Sequence, residues 1–171
     1  MRTRIKICGL TRECDVEAAV SAGADAVGFV FYPKSPRFVT PERAAELSRL
    51  VPPFVTLTAL FVNALPEEIE TVLQQVPVGL LQFHGDEMES ACQRWQRPYL
   101  RAVRMKPGLD LLQYATDFAS ARALLLDAFV EGYGGGGQTF DWSLIPSGLP
   151  IPLVLSGGLT PENVGEAVRR V

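Results

Sequence analysis

Two side chains at the ends of apolar segments could exchange protons with a bound molecule. Cys8 follows Ile7 and precedes Gly9, and Asp127 closes the apolar run at positions 124–126. A thiolate can act as a base, and a carboxyl group that keeps its proton can act as an acid. The alternatives are a small buried cysteine and an aspartate that caps the following loop through backbone amides. The residues alone leave both alternatives open.

Two further side chains could orient a ligand. Arg37 lies in a loop stiffened by Pro33 and Pro36, an arrangement that suits the capture of a carboxylate or phosphate by two parallel hydrogen bonds. His84, in the segment at positions 82–85, could carry a proton or form a hydrogen-bonding wall. A solvated surface arginine and a structural histidine are the alternatives.

Glycines mark two loops near the end of the chain. Gly157 and Gly158 follow the last apolar segment and precede a predicted helix near Pro161, so their backbone amides could bind phosphate. A simple tight turn is the alternative. The run from Gly132 to Gly137 matches a dinucleotide fingerprint only formally, because no strand ends in an acidic residue about 20 positions later. It also lacks the lysine of a phosphate-binding P-loop, so a loop that lets backbone approach a substrate is favoured.

Short apolar segments alternate with longer amphipathic ones, which is typical of repeated βαβ units. The predicted strands cover residues 4–8, 26–31, 55–62, 79–83, 100–103, 123–127 and 152–156. Predicted helix starts follow Thr11, Thr40 and Thr160 and lie at Pro66. Several strands are continuous apolar runs, which indicates burial on both faces of a parallel sheet.

Such units form either a closed barrel or an open doubly wound sheet. Polar residues stand at one strand end after another, among them Cys8, His84, Arg104 and Asp127. In a barrel these ends meet on one face, where active sites of that fold lie. We therefore expect an α/β fold of the (β/α)₈ TIM-barrel class, with a single domain over residues 1–171.

Composition excludes several classes of protein. Of 171 residues, 16 are basic and 19 acidic, and no basic block is present, so nucleic acid is not an expected partner. Apolar stretches are too short for a membrane span, and the N-terminus does not resemble a signal peptide. Three cysteines and one histidine, without metal-ligand spacing, predict no disulfides, no metal site and a cytoplasmic location. The number of subunits cannot be predicted.

Six motifs carry a family resemblance, and they occur in order along the chain. They are Lys6–Thr11, Gly28–Phe31 with Ser35–Arg37, Gln82–Gly85, Leu125–Asp127, Gly136–Trp142 and Leu155–Leu159. Together they resemble phosphoribosylanthranilate isomerase of tryptophan biosynthesis. The resemblance implies a (β/α)₈ barrel and an Amadori rearrangement of a phosphosugar substrate, N-(5′-phosphoribosyl)anthranilate.

The resemblance also implies roles for individual residues. Cys8 corresponds to the general base, Asp127 to the general acid and Arg37 to the contact with the anthranilate carboxylate. His84 is a further expected substrate contact, and Gly157 and Gly158 are expected to bind the phosphate. The apolar strand before Asp127 would favour its protonated form by desolvation. Two proton-transfer groups suffice for this reaction, so no metal or organic cofactor is expected.

The chain ends at Val171, after the seventh predicted strand. A complete member of this fold has an eighth strand and helix, so we expect that unit to be missing here. We also expect the phosphate site to lack some of its binding residues. One rival hypothesis is the related isomerase of histidine biosynthesis, which uses aspartates at strands one and five. Cys8 and Arg104 at these positions argue against it. The other rival is a binding protein without catalytic activity.

Overall fold

A computed structural model describes residues 2–129 and 139–171. The chain divides into two compact units, Met1–Asp86 and Glu87–Val171, and each is described by itself. The prediction of a single domain over residues 1–171 stays a prediction.

The first unit contains four parallel strands in the order in which they occur along the chain. The strands are β1 (Lys6–Cys8), β2 (Ala26–Val30), β3 (Thr56–Phe61) and β4 (Leu80–Phe83), and the helices are α1 (Glu13–Ser21), α2 (Pro41–Ser48) and α3 (Pro66–Gln75). At the start of α2, the Thr40 side chain accepts a hydrogen bond from the Arg43 amide. At the start of α3, the Leu65 amide donates to Glu68. These contacts satisfy amides that a helix leaves unpaired at its N-terminus.

One face of the sheet in the first unit carries a cluster of aromatic rings. Phe61 stacks on Phe31 with ring centroids 5.5 Å apart and lies 6.3 Å from Phe83. Because side chains alternate along a strand, the opposite face carries the even-numbered positions. Cys8, Gly28 and Thr58 are register neighbours there. Cys8 therefore lies on the face opposite the aromatic rings.

The second unit contains three parallel strands, again in chain order. The strands are β5 (Tyr99–Met105), β6 (Ala123–Ala128) and β7 (Leu153–Leu155), and the helices are α4 (Glu89–Gln93), α5 (Leu111–Asp117) and α6 (Val164–Arg170), with a 3₁₀ turn at Trp142–Leu144. A buried ion pair joins Arg101 of β5 to Glu87, with 2.9 Å between Nη1 and Oε2. The guanidinium also lies 4.8 Å from the Phe118 ring. Arg101 thus supports the packing on one face of β5.

All seven predicted strands are present, with ends within two residues of those predicted. One predicted helix start is wrong and one is correct except for its cap. Helix α1 begins at Glu13, shortly after Thr11, but the residue before it is Arg12, which makes no side-chain cap. Helix α6 begins at Val164 rather than near Pro161, because Asn163 holds the preceding residues in a turn. Helices α4 and α5 were not predicted.

Across the described ranges, none of the helices combines the length and apolar character needed to cross a membrane.

Candidate active site

The carboxyl end of β1 brings Cys8 and Arg37 together. Cys8 is half-buried, and its carbonyl oxygen accepts a hydrogen bond from Arg37 Nη1 at 3.0 Å. The loop that carries Arg37 is fixed locally, since the Arg37 amide donates to Ser35 Oγ at 3.1 Å. Arg37 itself is exposed. The guanidinium is thus anchored by one nitrogen at the strand end, and its other donors can reach a ligand.

Gly9 makes this approach possible. Its φ of +83° lies in the left-handed region, and an added Cβ would come within 2.6 Å of both Cδ and Nη1 of Arg37. Any other residue would therefore displace the arginine side chain. Sequence reasoning missed this role of Gly9 in the placement of the Arg37 side chain.

His84 lies just beyond the end of β4 and is partly buried. Its amide donates to the carbonyl of Phe61, which extends the strand pairing by one residue. The Gln82 amide nitrogen lies 3.0 Å from His84 Nδ1, within hydrogen-bond distance. Gln82 is nearly fully buried. This contact orients the His84 ring, a role for Gln82 that sequence reasoning missed.

Asp127 lies on β6 in the second unit and is 8% exposed. Its Oδ1 accepts a hydrogen bond from the Ala128 amide at 3.0 Å, so the contact expected of a loop-capping aspartate is present. Arg104 is its register neighbour on β5. On the β7 side, a Cβ added to Gly157 would lie 2.5 Å from Asp127 Oδ1. The carboxyl group is therefore held between its own backbone and the glycine loop.

The loop after β7 contains the two predicted phosphate-binding residues. Gly157 and Gly158 have φ values of +80° and +61°, a left-handed conformation that glycine adopts without strain. Asn163 braces the loop by donating to the Gly158 carbonyl at 2.9 Å and accepting from the Thr160 amide at 2.8 Å. The predicted glycine loop from Gly132 to Gly137 lies outside the described residues.

Cysteine and metal chemistry were also considered at sequence level. Cys8, Cys14 and Cys92 are all free thiols. Burial raises the pKa of the Cys92 thiol to about 12, so that side chain stays protonated at neutral pH. In the part of the chain that the structure describes, no three His, Cys, Asp or Glu side chains cluster as metal ligands.

The family model for N-(5′-phosphoribosyl)anthranilate isomerase matches residues 5–171. The chain belongs to this family. It is 65% identical over 171 residues to the N-(5′-phosphoribosyl)anthranilate isomerase of Dechloromonas aromatica, covering 82% of that protein. It is 64% identical to the isomerase of the same name from Methylibium petroleiphilum, covering 80% of it. The family predicted from the six motifs is confirmed.

Solved structures agree with this assignment. The phosphoribosylanthranilate isomerase of Thermotoga maritima superposes with a TM-score of 0.88 at 43% identity, with 99% of this chain and 84% of that chain covered. Another solved isomerase, in complex with reduced 1-(o-carboxyphenylamino)-1-deoxyribulose 5-phosphate, gives a TM-score of 0.84 at 40% identity and covers 99% of this chain and 83% of that one. The (β/α)₈-barrel fold class is confirmed, with seven strands among the described residues and no eighth.

Proposed function

We propose that this chain catalyses the rearrangement of N-(5′-phosphoribosyl)anthranilate to 1-(2-carboxyphenylamino)-1-deoxyribulose 5-phosphate. One observation carries the proposal. In a chain of the isomerase family, Cys8 and Asp127 both stand at the carboxyl ends of parallel strands, where active sites of this fold lie. The enzyme is thus an intramolecular isomerase of tryptophan biosynthesis.

Asp127 is the general acid. Its proton passes to the ring oxygen of the ribose as the bond from that oxygen to C1′ breaks, and the nitrogen lone pair forms a Schiff base with C1′. Asp127 is 8% exposed, so the acid is shielded from bulk solvent. After transfer, the hydrogen bond from the Ala128 amide stabilises the new carboxylate.

Cys8 is the general base. Its thiolate removes the proton from C2′ of the Schiff base, and the electron pair moves through C1′ to the nitrogen to give an enolamine. The Cys8 thiol then gives its proton to C1′, the enol hydroxyl at C2′ loses its proton to restore the acid, and the ketone forms at C2′. The reaction leaves no net oxidation and requires only the two proton-transfer groups, so we infer that no cofactor takes part.

Three other contacts position the substrate. Arg37, anchored over Gly9, binds the anthranilate carboxylate through its free donors. His84, oriented by its contact with Gln82, is a further substrate contact. The left-handed amides of Gly157 and Gly158 bind the phosphate. The ligand is a small phosphosugar, and neither a nucleic acid nor a membrane is needed.

The cytoplasm is the proposed location, because a reducing compartment keeps Cys8, Cys14 and Cys92 as free thiols. The test of the proposed function is turnover of N-(5′-phosphoribosyl)anthranilate by the purified chain, followed by the loss of anthranilate fluorescence. Product formation that depends on enzyme concentration supports the proposal. Saturable binding of reduced 1-(o-carboxyphenylamino)-1-deoxyribulose 5-phosphate without any turnover would instead identify a binding protein.

A further inference from the structure

Lys6 and Cys8 share one face of β1, because they are two positions apart on a strand. Their register neighbours on β2 are Ala26 and Gly28. Both neighbours are small, so β2 leaves room beside it for the side chains of Lys6 and Cys8. Lys6 and Cys8 are both half-buried.

The side chain of Lys6 extends along the strand toward the thiol. A Cβ built on Gly28 would lie 2.9 Å from Cys8 Sγ and 3.0 Å from Lys6 Nζ. Both atoms are thus close to one point over Gly28, and they lie within about 6 Å of each other, the range in which an opposite charge favours the ionised form of a group.

Arg37 is the other cation near Cys8, and it contacts the backbone of Cys8. Arg37 donates to the carbonyl oxygen of Cys8 and packs over Gly9, on the backbone at the strand end. Lys6 is the cation on the side of the sulfur. A thiol acts as a base only as thiolate, and a neighbouring ammonium group increases the thiolate fraction.

We propose that Lys6 is a positioning residue for the general base. Its ammonium group lies beside Cys8 Sγ, above Gly28, and stabilises the Cys8 thiolate. The role of Cys8 as general base rests on the proposed function. The charge interaction between Lys6 and Cys8 does not, because it exists in the free enzyme. The two can therefore be tested separately.

The test measures the Cys8 thiolate without substrate. In a Cys14→Ser background, ultraviolet thiolate absorbance and the rate of alkylation by iodoacetamide at neutral pH are compared for Lys6, Lys6→Met and Lys6→Arg. Lys6→Met should lower the thiolate fraction about tenfold. The alkylation rate should fall about threefold, because a less stabilised thiolate is a stronger nucleophile. Lys6→Arg should restore most of both signals.

Turnover is the second measurement. Lys6→Met should lower kcat about tenfold with little change in KM, and Lys6→Arg should recover it. An unchanged thiolate fraction in Lys6→Met overturns the inference, even if turnover falls, because a structural role alone would then explain the loss. A lower thiolate fraction with unchanged kcat also overturns it.

A matched thiol controls for indirect effects. Cys14 on α1 is exposed, and its alkylation in the otherwise unchanged chain should have the same rate with Lys6 or Met at position 6. If urea unfolding shows that Lys6→Met is not folded, Lys6→Gln replaces it in every measurement. A chain without isomerase activity but with a thiolate that depends on Lys6 would overturn the proposed function and leave the charge interaction in place.

Discussion

Replacing Gly157 by alanine should separate the placement of the acid from the stability of the fold. A Cβ at this position would lie 2.5 Å from Asp127 Oδ1 and 2.7 Å from the Ala128 amide nitrogen. Ordinary contacts of a Cβ begin near 3.4 Å. The carboxyl group must therefore move by about 1 Å, and a displacement of that size costs about a hundredfold in rate.

Backbone strain adds a second cost, which a matched variant isolates. Gly157 has a φ of +80°, and alanine in this conformation costs about 1–2 kcal/mol of stability. Gly148, in the same unit, has a φ of +77° and no atom within 4 Å of its added Cβ. Gly148→Ala should therefore lose similar stability from strain but keep its turnover.

The assay combines urea unfolding with turnover of N-(5′-phosphoribosyl)anthranilate, both measured on the two variants and the parent. We expect kcat of Gly157→Ala to fall about a hundredfold, while Gly148→Ala stays within about threefold of the parent. Equal kcat values for the two alanine variants would refute the reasoning that Gly157 determines the position of the Asp127 carboxyl group.

Three further predictions concern binding, stability and pH. Arg37→Ala should weaken the affinity for reduced 1-(o-carboxyphenylamino)-1-deoxyribulose 5-phosphate by about 1.5–3 kcal/mol in titration calorimetry, and unchanged affinity would move the carboxylate contact elsewhere. Glu87→Gln should cost about 3–5 kcal/mol in urea unfolding, because it removes one charge from the buried Arg101–Glu87 ion pair, and a cost below about 1 kcal/mol would contradict this. Hydrogen bonds from Arg2 and Arg4 hold the pKa of Asp25 well below its usual 3.8, so its stabilisation is complete above that pH and is lost on further acidification. The difference in urea midpoint between the parent and Asp25→Asn should therefore be smaller well below pH 3.8 than at neutral pH. A difference that does not change with pH would contradict this role of Asp25.

Much of the fold follows from local sequence. Several strands are continuous apolar runs, so their positions can be predicted from the local order of residues. Helix α2 is readable too, because Thr40 and Pro41 form a standard start. The start of α6 is not, since the Asn163 side chain, rather than Thr160, determines where helical hydrogen bonding begins.

The candidate site is predictable only in part. Cys8 and Asp127 can be chosen because a polar side chain directly after an apolar run is unusual. The contact of Gly157 with Asp127 depends on the packing of β7 against β6, which no local pattern encodes. The proximity of Lys6 and Cys8 is predictable only in part. Their spacing predicts a shared face, but only the register with Gly28 shows that the neighbouring strand leaves room for both side chains.

The central claim is that Cys8 and Asp127 transfer the protons while other residues bind the substrate. Single-turnover kinetics with Cys8→Ser and Asp127→Asn test it most directly, together with the affinity of each variant for reduced 1-(o-carboxyphenylamino)-1-deoxyribulose 5-phosphate. We predict that each substitution lowers the rate of the chemical step at least about a hundredfold and leaves the affinity within a few-fold of the parent. A near-normal chemical step in either variant, or a loss confined to affinity, would contradict the account.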